Sequence, residues 1–249
     1  DAWQQLYKKI YIHHATAGQA VLMNARPMLE GTDSWNTHPD IYYDNKELWH
    51  IWGKFLEAKN VDSSGYKFDV INIGRQVLGN LFSDFRDSFT ACYRQKNIEG
   101  MKEWAEKMNT LFTDVDRLLS CESSFSIGKW IKARDWGKNL KEKEYYEQNA
   151  RCILTTWGQK ATQLNDYANR GWGGLTDSYY RKRWELFTQY AIDEMSHGKE
   201  IDEKSFYNLI TEFEYQWTLQ TNVYSESSGE DPIRIANLLY IKYNPYFDK

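Results

Sequence analysis

Apolar side chains recur along this chain at intervals of three and four residues, the spacing that gathers them on one face of an α-helix. Trp3, Leu6, Tyr7, Ile10 and Tyr11 predict a first helix over 2–12. The segment ATAGQAVLMNARPMLEGTDSWNTHPDIYY then breaks the pattern. It is too long for a plain connection, and such loops are usually functional or packed over something. Leu48, Trp52, Phe55 and Leu56 predict a helix over 45–58, ended by the polar NVDSSG turn. Ile71, Val77, Leu78, Leu81, Phe82, Phe85 and Phe89 trace one face over 68–95. Met101, Trp104, Met108, Leu111, Phe112, Val115 and Leu118 do the same over 98–119. The short KNIEG link makes these two long helices antiparallel neighbours.

The serines of CESSF can cap a helix carrying Ile127, Trp130, Ile131 and Trp136. A helix over 142–157 follows, with Gly158 as its terminator, then one over 167–196 closed by Gly198. Asp202 can cap the helix of Phe206, Leu209, Ile210, Phe213 and Trp217, and Asp231-Pro232 opens the last one. No segment alternates as a strand between hairpin turns. The pattern predicts an all-α chain, one domain over 1–249 of about eight or nine packed helices, with a long irregular segment near its N-terminus. The first sixty residues could form a separate layer. The chain opens inside an amphipathic pattern without an initiator Met, so it reads as a piece of a longer protein.

Composition narrows the function classes. Charged residues are 27% and hydrophobic residues 41% of the 249 residues, ordinary for a folded domain. No apolar run is long enough to span a bilayer. A formal charge of −4 argues against a nucleic-acid surface, and the RKR run at 181–183 falls inside a helical pattern. Aromatics reach 16%, with 11 Trp and 18 Tyr. That abundance fits a bulky core or a carbohydrate-contacting surface, and the core is the default.

Standard catalytic motifs are missing. There is no phosphate-binding loop, no HExxH and no GxSxG. His13, His14, His38, His50 and His197 form no metal pattern. Cys92, Cys121 and Cys152 are well separated and read as buried thiols. Glu144 and Glu147 share a helix face, but like Glu185, Asp193 and Glu194 they read as solvated charges. The sequence therefore nominates no catalytic residue, no metal ligand and no cofactor.

The stretch 145–187 is different. Trp157 stands at a helix end, followed by a turn, QKATQLNDY, rich in amides and ending in Tyr167. An indole offers a flat apolar face and an N–H donor, which suits the C–H faces and hydroxyl edge of a sugar. The plainer alternative is that Asn165 or Asp166 caps the next helix while Trp157 and Tyr167 pack on each other. On residue types alone the cap is favoured. The glycines of RGWGGL signal either a helix break or close packing, with close packing the plainer account.

YYEQNARCILTTWG followed by LNDYANRGWGGLTDSYYRKRWELF resembles the C-terminal helical domain of the alpha-N-acetylglucosaminidases, glycoside hydrolase family 89. AWQQLYKKIY, ARPML, YKFDVINIGRQVL, DRLLSCESSFSIGKWI and IRIANLLYIKYNPYF fall in the family's order, so the resemblance spans nearly the whole chain. It implies a parent with a small N-terminal domain, a central (β/α)8 barrel and this all-α domain. The implied reaction removes terminal α-linked N-acetylglucosamine with retention, which needs two carboxylates roughly 5–5.5 Å apart. Those glutamates belong to the barrel, so the present chain alone should be inactive. The helical domain would wall one side of the cleft above the barrel. A Trp and a Tyr of the family match Trp157, which would bound the sugar, and Tyr167, which would orient it by hydrogen bonding. Asp166 would cap the helix that positions Tyr167, and an aliphatic pocket residue falls near Gln163 or Leu164. The early loop around 17–24 is a further segment near the site, with no residue assigned. The implied partners are the parent's barrel and the glycan, with neither nucleic acid nor membrane, in an extracytoplasmic compartment. The competing class is a non-catalytic helical carbohydrate-binding or protein-interaction module, and the sequence upstream of this chain distinguishes the two.

Overall fold

The computed structural model describes residues 1–12, 20–32, 34, 37, 41–59 and 61–248. Nine α-helices carry them: α1 (Ala2–Leu6), α2 (Asn45–Leu56), α3 (Ser64–Arg94), α4 (Ile98–Leu119), α5 (Ile127–Ile131), α6 (Leu140–Leu154), α7 (Lys182–Ser196), α8 (Glu203–Thr218) and α9 (Pro232–Tyr243). A π-helical stretch, Tyr7–Tyr11, continues α1, and another, Thr176–Arg181, leads into α7. Among the described residues there is no strand, only isolated bridges from Ala20 to Thr37 and from Ser126 to Gly173. The all-α reading holds.

Local chemistry sets the helix ends. Asp44, Ser63, Asn97, Ser126, Asn139, Asp202 and Asp231 each accept a hydrogen bond from a first-turn N–H, satisfying a group the helix leaves unpaired. Gly198, at φ 72°, closes α7 while Lys199 N donates to Glu194 O.

Helices α3 and α4 form the spine and pack along their lengths. Phe82 of α3 meets Phe112 of α4 edge to face at 4.9 Å, with Trp184 of α7 on its other side at 4.8 Å. Trp49 of α2 is fully buried between Tyr240 and Phe247, stacked at 4.4 and 4.1 Å. Trp52, Trp184 and Trp217 are also fully buried, so much of the aromatic excess is core. Leu6, Leu22, Met23 and Trp49 join the same core, so the first sixty residues are not a separate layer.

Three expectations need correction. On the first helix only Leu6 and Ile10 are buried; Trp3, Tyr7 and Tyr11 are exposed, because α1 lies at the edge with α2 as its main support. Helix α6 ends at Leu154, before Gly158. The helix expected from Tyr167 starts at Thr176, leaving residues 155–175 as a long bend rather than a short turn. The RGWGGL glycines explain the late start. Gly174 has φ 81°, and a Cβ on Gly173 would come within 2.8 Å of the Ser120 backbone nitrogen, so the segment both breaks and packs closely.

Candidate functional site

The bend opens with an unusual helix end. The N–H of Trp157 reaches back to Cys152 O at 2.7 Å, while Trp157 itself sits at φ 54°. Ala161 and Asp166 follow at φ 60° and 61°. Left-handed conformations in non-glycine residues are uncommon and tend to gather at functional sites. Backbone and hydroxyl bonds tie the bend to itself: Asp166 N donates to Thr155 O at 2.7 Å, and Thr162 Oγ1 donates to Thr156 O.

This backbone presents two rings side by side. Trp157 is 37% exposed and Tyr167 41%, with ring centroids 4.8 Å apart and planes at 51°. They form an angled aromatic corner open to solvent. The indole N–H of Trp157 meets no acceptor among the described residues. Leu164 is exposed in the same turn, as is Gln163.

Asp166 does not cap a helix. Its side chain is 0% exposed and lies in a buried ionic cluster. Arg183 of α7 donates to Asp166 Oδ2 at 2.9 Å and to Glu214 Oε1 at 3.0 Å. Glu214 of α8 accepts two bonds from Arg26, at 2.6 and 3.2 Å. Ser34 Oγ donates to Asp166 Oδ2 at 2.6 Å, and Asn165 Nδ2 does so at 2.9 Å. Arg183 also donates to Asn24 O at 2.8 Å and lies over the Tyr179 ring at 4.5 Å. The π-helical stretch before α7 lets both Tyr179 and Tyr180 face inward around this guanidinium. Two cations and two anions balance. Burial works against the charge on Arg183, and Asp166 with Glu214 more than offsets it. Burial also pushes the Asp166 carboxyl up, and Arg183 pulls it only part of the way back.

The far end of the bend hangs on α4. Asp116 Oδ1 accepts from Gly174 N at 2.7 Å and from Asp177 N at 3.0 Å, capping the chain as it becomes helical again. Burial pushes the Asp116 carboxyl up to about 6, against these two bonds.

The structure thus brings Trp157 and Tyr167 together, as the plainer sequence alternative held, but buries Asn165 and Asp166 in the ionic cluster instead of at a helix start. It adds Arg26, Ser34, Arg183 and Glu214. Arg183 lies three and four residues after Tyr180 and Tyr179, and Glu214 four after Ile210, so both sit on apolar stripes. A charge in register with a buried stripe was the available signal. Glu147 repeats the lesson: it is buried, not solvated, and pairs with Arg151 at 2.9 Å and Arg134 at 2.8 Å, whereas Glu144 is exposed as expected.

No group of metal-ligating residues gathers among the described residues. His50 and His197 are exposed; His13, His14 and His38 lie outside the described residues, as do 17–19 of the early loop. Cys92 and Cys152 are half-buried and Cys121 buried, all three as free thiols. No described helix is long and apolar enough to cross a membrane.

A family model, the alpha-N-acetylglucosaminidase C-terminal domain, matches residues 1–242. Human alpha-N-acetylglucosaminidase is 26% identical over 248 residues, 98% of this chain and 33% of the human protein. A family 89 glycoside hydrolase from Clostridium perfringens, solved in complex with PUGNAc, superposes with a TM-score of 0.88 at 28% identity, covering 100% of this chain and 30% of that one. A Clostridium perfringens variant with two glutamate-to-glutamine substitutions, in complex with its substrate GlcNAc-alpha-1,4-galactose, matches with a TM-score of 0.86 at 27% identity over 99% of this chain and 30% of that one. The chain therefore spans about a third of the length of these relatives.

Proposed function

The chain belongs to the family of alpha-N-acetylglucosaminidase C-terminal domains, and on that premise we propose that it is the helical part of a glycosidase that releases terminal α-linked N-acetylglucosamine. In this reading Trp157 and Tyr167 form one wall of the sugar site. The catalytic carboxylates come from a preceding barrel of the same parent, so residues 1–249 alone bind or shape without hydrolysing. The parent works outside the cytoplasm.

The observation that carries the reading is the exposed aromatic corner on a strained, internally braced bend. The two rings offer an apolar face, an indole N–H and a phenol within one small surface. Those are the contacts that a ring with C–H faces and an acetamido group takes up. The ionic cluster gives the corner a fixed backing, so the rings are held before the sugar arrives and less ordering is needed on binding.

The test is kinetic. In the full-length parent, Trp157→Ala is expected to lower kcat/KM about 10–100-fold on an aryl α-N-acetylglucosaminide, the loss of one binding aromatic. Unfolding midpoints of the two proteins should stay close. Undiminished kcat/KM in a folded variant would sink the assignment.

A further inference from the structure

The bend has a second face, where polar groups meet the apolar side chains of Val21, Met23, Val115 and Leu119. Just beyond Tyr167, Asn169, Arg170 and Gly171 turn toward α3 and line a pocket of about 240 Å³ with Asn24 and Arg75. Arg75 is unlike the more deeply buried arginines. Arg26, Arg86, Arg151 and Arg183 each pair with a carboxylate. Among the described residues Arg75 pairs with none; it donates to Asn72 Oδ1 at 2.9 Å and weakly to Gly171 O at 3.4 Å, and lies over the Phe125 ring at 5.1 Å. Arg170 likewise finds only the backbone carbonyls of Ala168 and Asn169.

Among the described residues neither guanidinium meets a carboxylate, and the two charges repel each other. Burial, and then the Arg170 charge, push Arg75 below its ordinary value. A third donor faces the same space. Asn24 also lines the pocket, so its side-chain amide can donate into it. The donors converge over Gly171: a methyl group there would stand 3.4 Å from Arg75 Nη1 and 3.6 Å from Asn24 Nδ2.

We propose that this pocket binds a small oxyanion, a sulfate or carboxylate group, between Arg75 and Arg170 with the Asn24 amide as a third donor. Planar guanidinium forks match both groups. The pocket lies below the roughly 300–1,000 Å³ that drug-sized ligands occupy, so it suits one anionic group rather than a whole sugar. The site uses neither Trp157 nor Tyr167 and stands or falls apart from the sugar reading.

Calorimetric titration of the chain with sodium sulfate, and separately with sodium acetate, tests it against sodium chloride at matched ionic strength, which cancels general screening. Saturable heat is expected with at least one oxyanion and none with chloride; the tighter of the two names the group. Arg75→Gln and Arg170→Gln should each weaken binding about tenfold or more, the loss of a charge-assisted hydrogen bond. Gly171→Ala keeps every charge, needs no left-handed backbone, and places its methyl where the anion would sit; it should weaken binding at least about fivefold. No saturable oxyanion binding by the unsubstituted chain overturns the proposal. So does unchanged affinity in Gly171→Ala, whatever the arginine variants do to the fold.

Discussion

The α3–α4 spine and the 155–175 bend are held by different physics. The spine is a run of apolar side chains at helical spacing, and neighbours in space are mostly neighbours in period. The bend has apolar support at its far end, where Leu175 is buried and Trp172 packs on the core. Its middle is tied through Asp166 to Arg183, and through Glu214 to Arg26, four residues from separate places in the chain that meet in the interior while Trp157 and Tyr167 stay partly in solvent. The difference teaches where a surface site gets its rigidity. An apolar core would have drawn Trp157 and Tyr167 inward. A polar backing holds the loop and leaves the rings facing out.

The comparison is broken or sharpened most strongly at Arg183. Arg183→Met strands the Asp166 carboxylate in the interior and should cost about 3–5 kcal/mol in denaturant unfolding. Phe112→Ala in the spine should cost about as much through its cavity, so single variants do not separate the two regions. A second substitution does. Adding Asp166→Asn to Arg183→Met removes the stranded charge and should restore about 1 kcal/mol or more. Adding Phe82→Ala to Phe112→Ala only enlarges the hole. A double variant at the ionic cluster no more stable than its single parent would erase the distinction.

The same contrast decides what could be read in advance. The α4 helix was legible to its ends, because its apolar stripe runs unbroken from Met101 to Leu118 and the short KNIEG link precedes it. The helix expected from Tyr167 begins nine residues later, at the π-helical Thr176, since Tyr167, Tyr179 and Tyr180 prolong an apparently helical pattern through a segment that Gly173 and Gly174 hold open. Trp157 and Tyr167 were legible as residue types at a bend, and the family resemblance singled them out. The exposure of Trp157 fits its place at a helix end. The ionic cluster behind the bend was not legible, because its members lie as far apart as Arg26 and Glu214 and no local spacing encodes that meeting. Trp3, Tyr7 and Tyr11 show the converse: a perfect amphipathic face says nothing about whether something covers it.

A smaller effect concerns the hinge between the two regions, where Asp116 of the spine caps the end of the bend. The carboxyl is raised from an ordinary 3.8 to about 6 by burial. Its folded state therefore holds the proton more tightly than the unfolded one. The associated stability is full below about pH 3.8 and is lost as pH rises to about 6. Asp116→Asn keeps the acceptor for Gly174 N and Asp177 N without the charge. Relative to the unsubstituted chain it should gain up to about 2–3 kcal/mol between pH 4 and pH 7, read from urea midpoints at each pH. A constant difference across that range would mean that the two backbone bonds already outweigh burial and that the carboxylate stays ionised in the fold.

The finest comparison is within Trp157 itself, where ring and backbone are separable. At φ 54° a side chain of any kind is disfavoured, whereas glycine adopts that conformation freely. Trp157→Gly and Trp157→Ala both delete the ring, so they should lower kcat/KM of the parent alike. Their stabilities should differ: the glycine variant is expected to be about 1 kcal/mol more stable than the alanine variant, reversing the usual order for the two residues. Equal stabilities would show that the bend relaxes once the ring is gone, and that the ring holds the left-handed turn. The expected gap would show instead that the turn is imposed from below, by Asp166 and its partners, and that the ring is carried on it toward solvent.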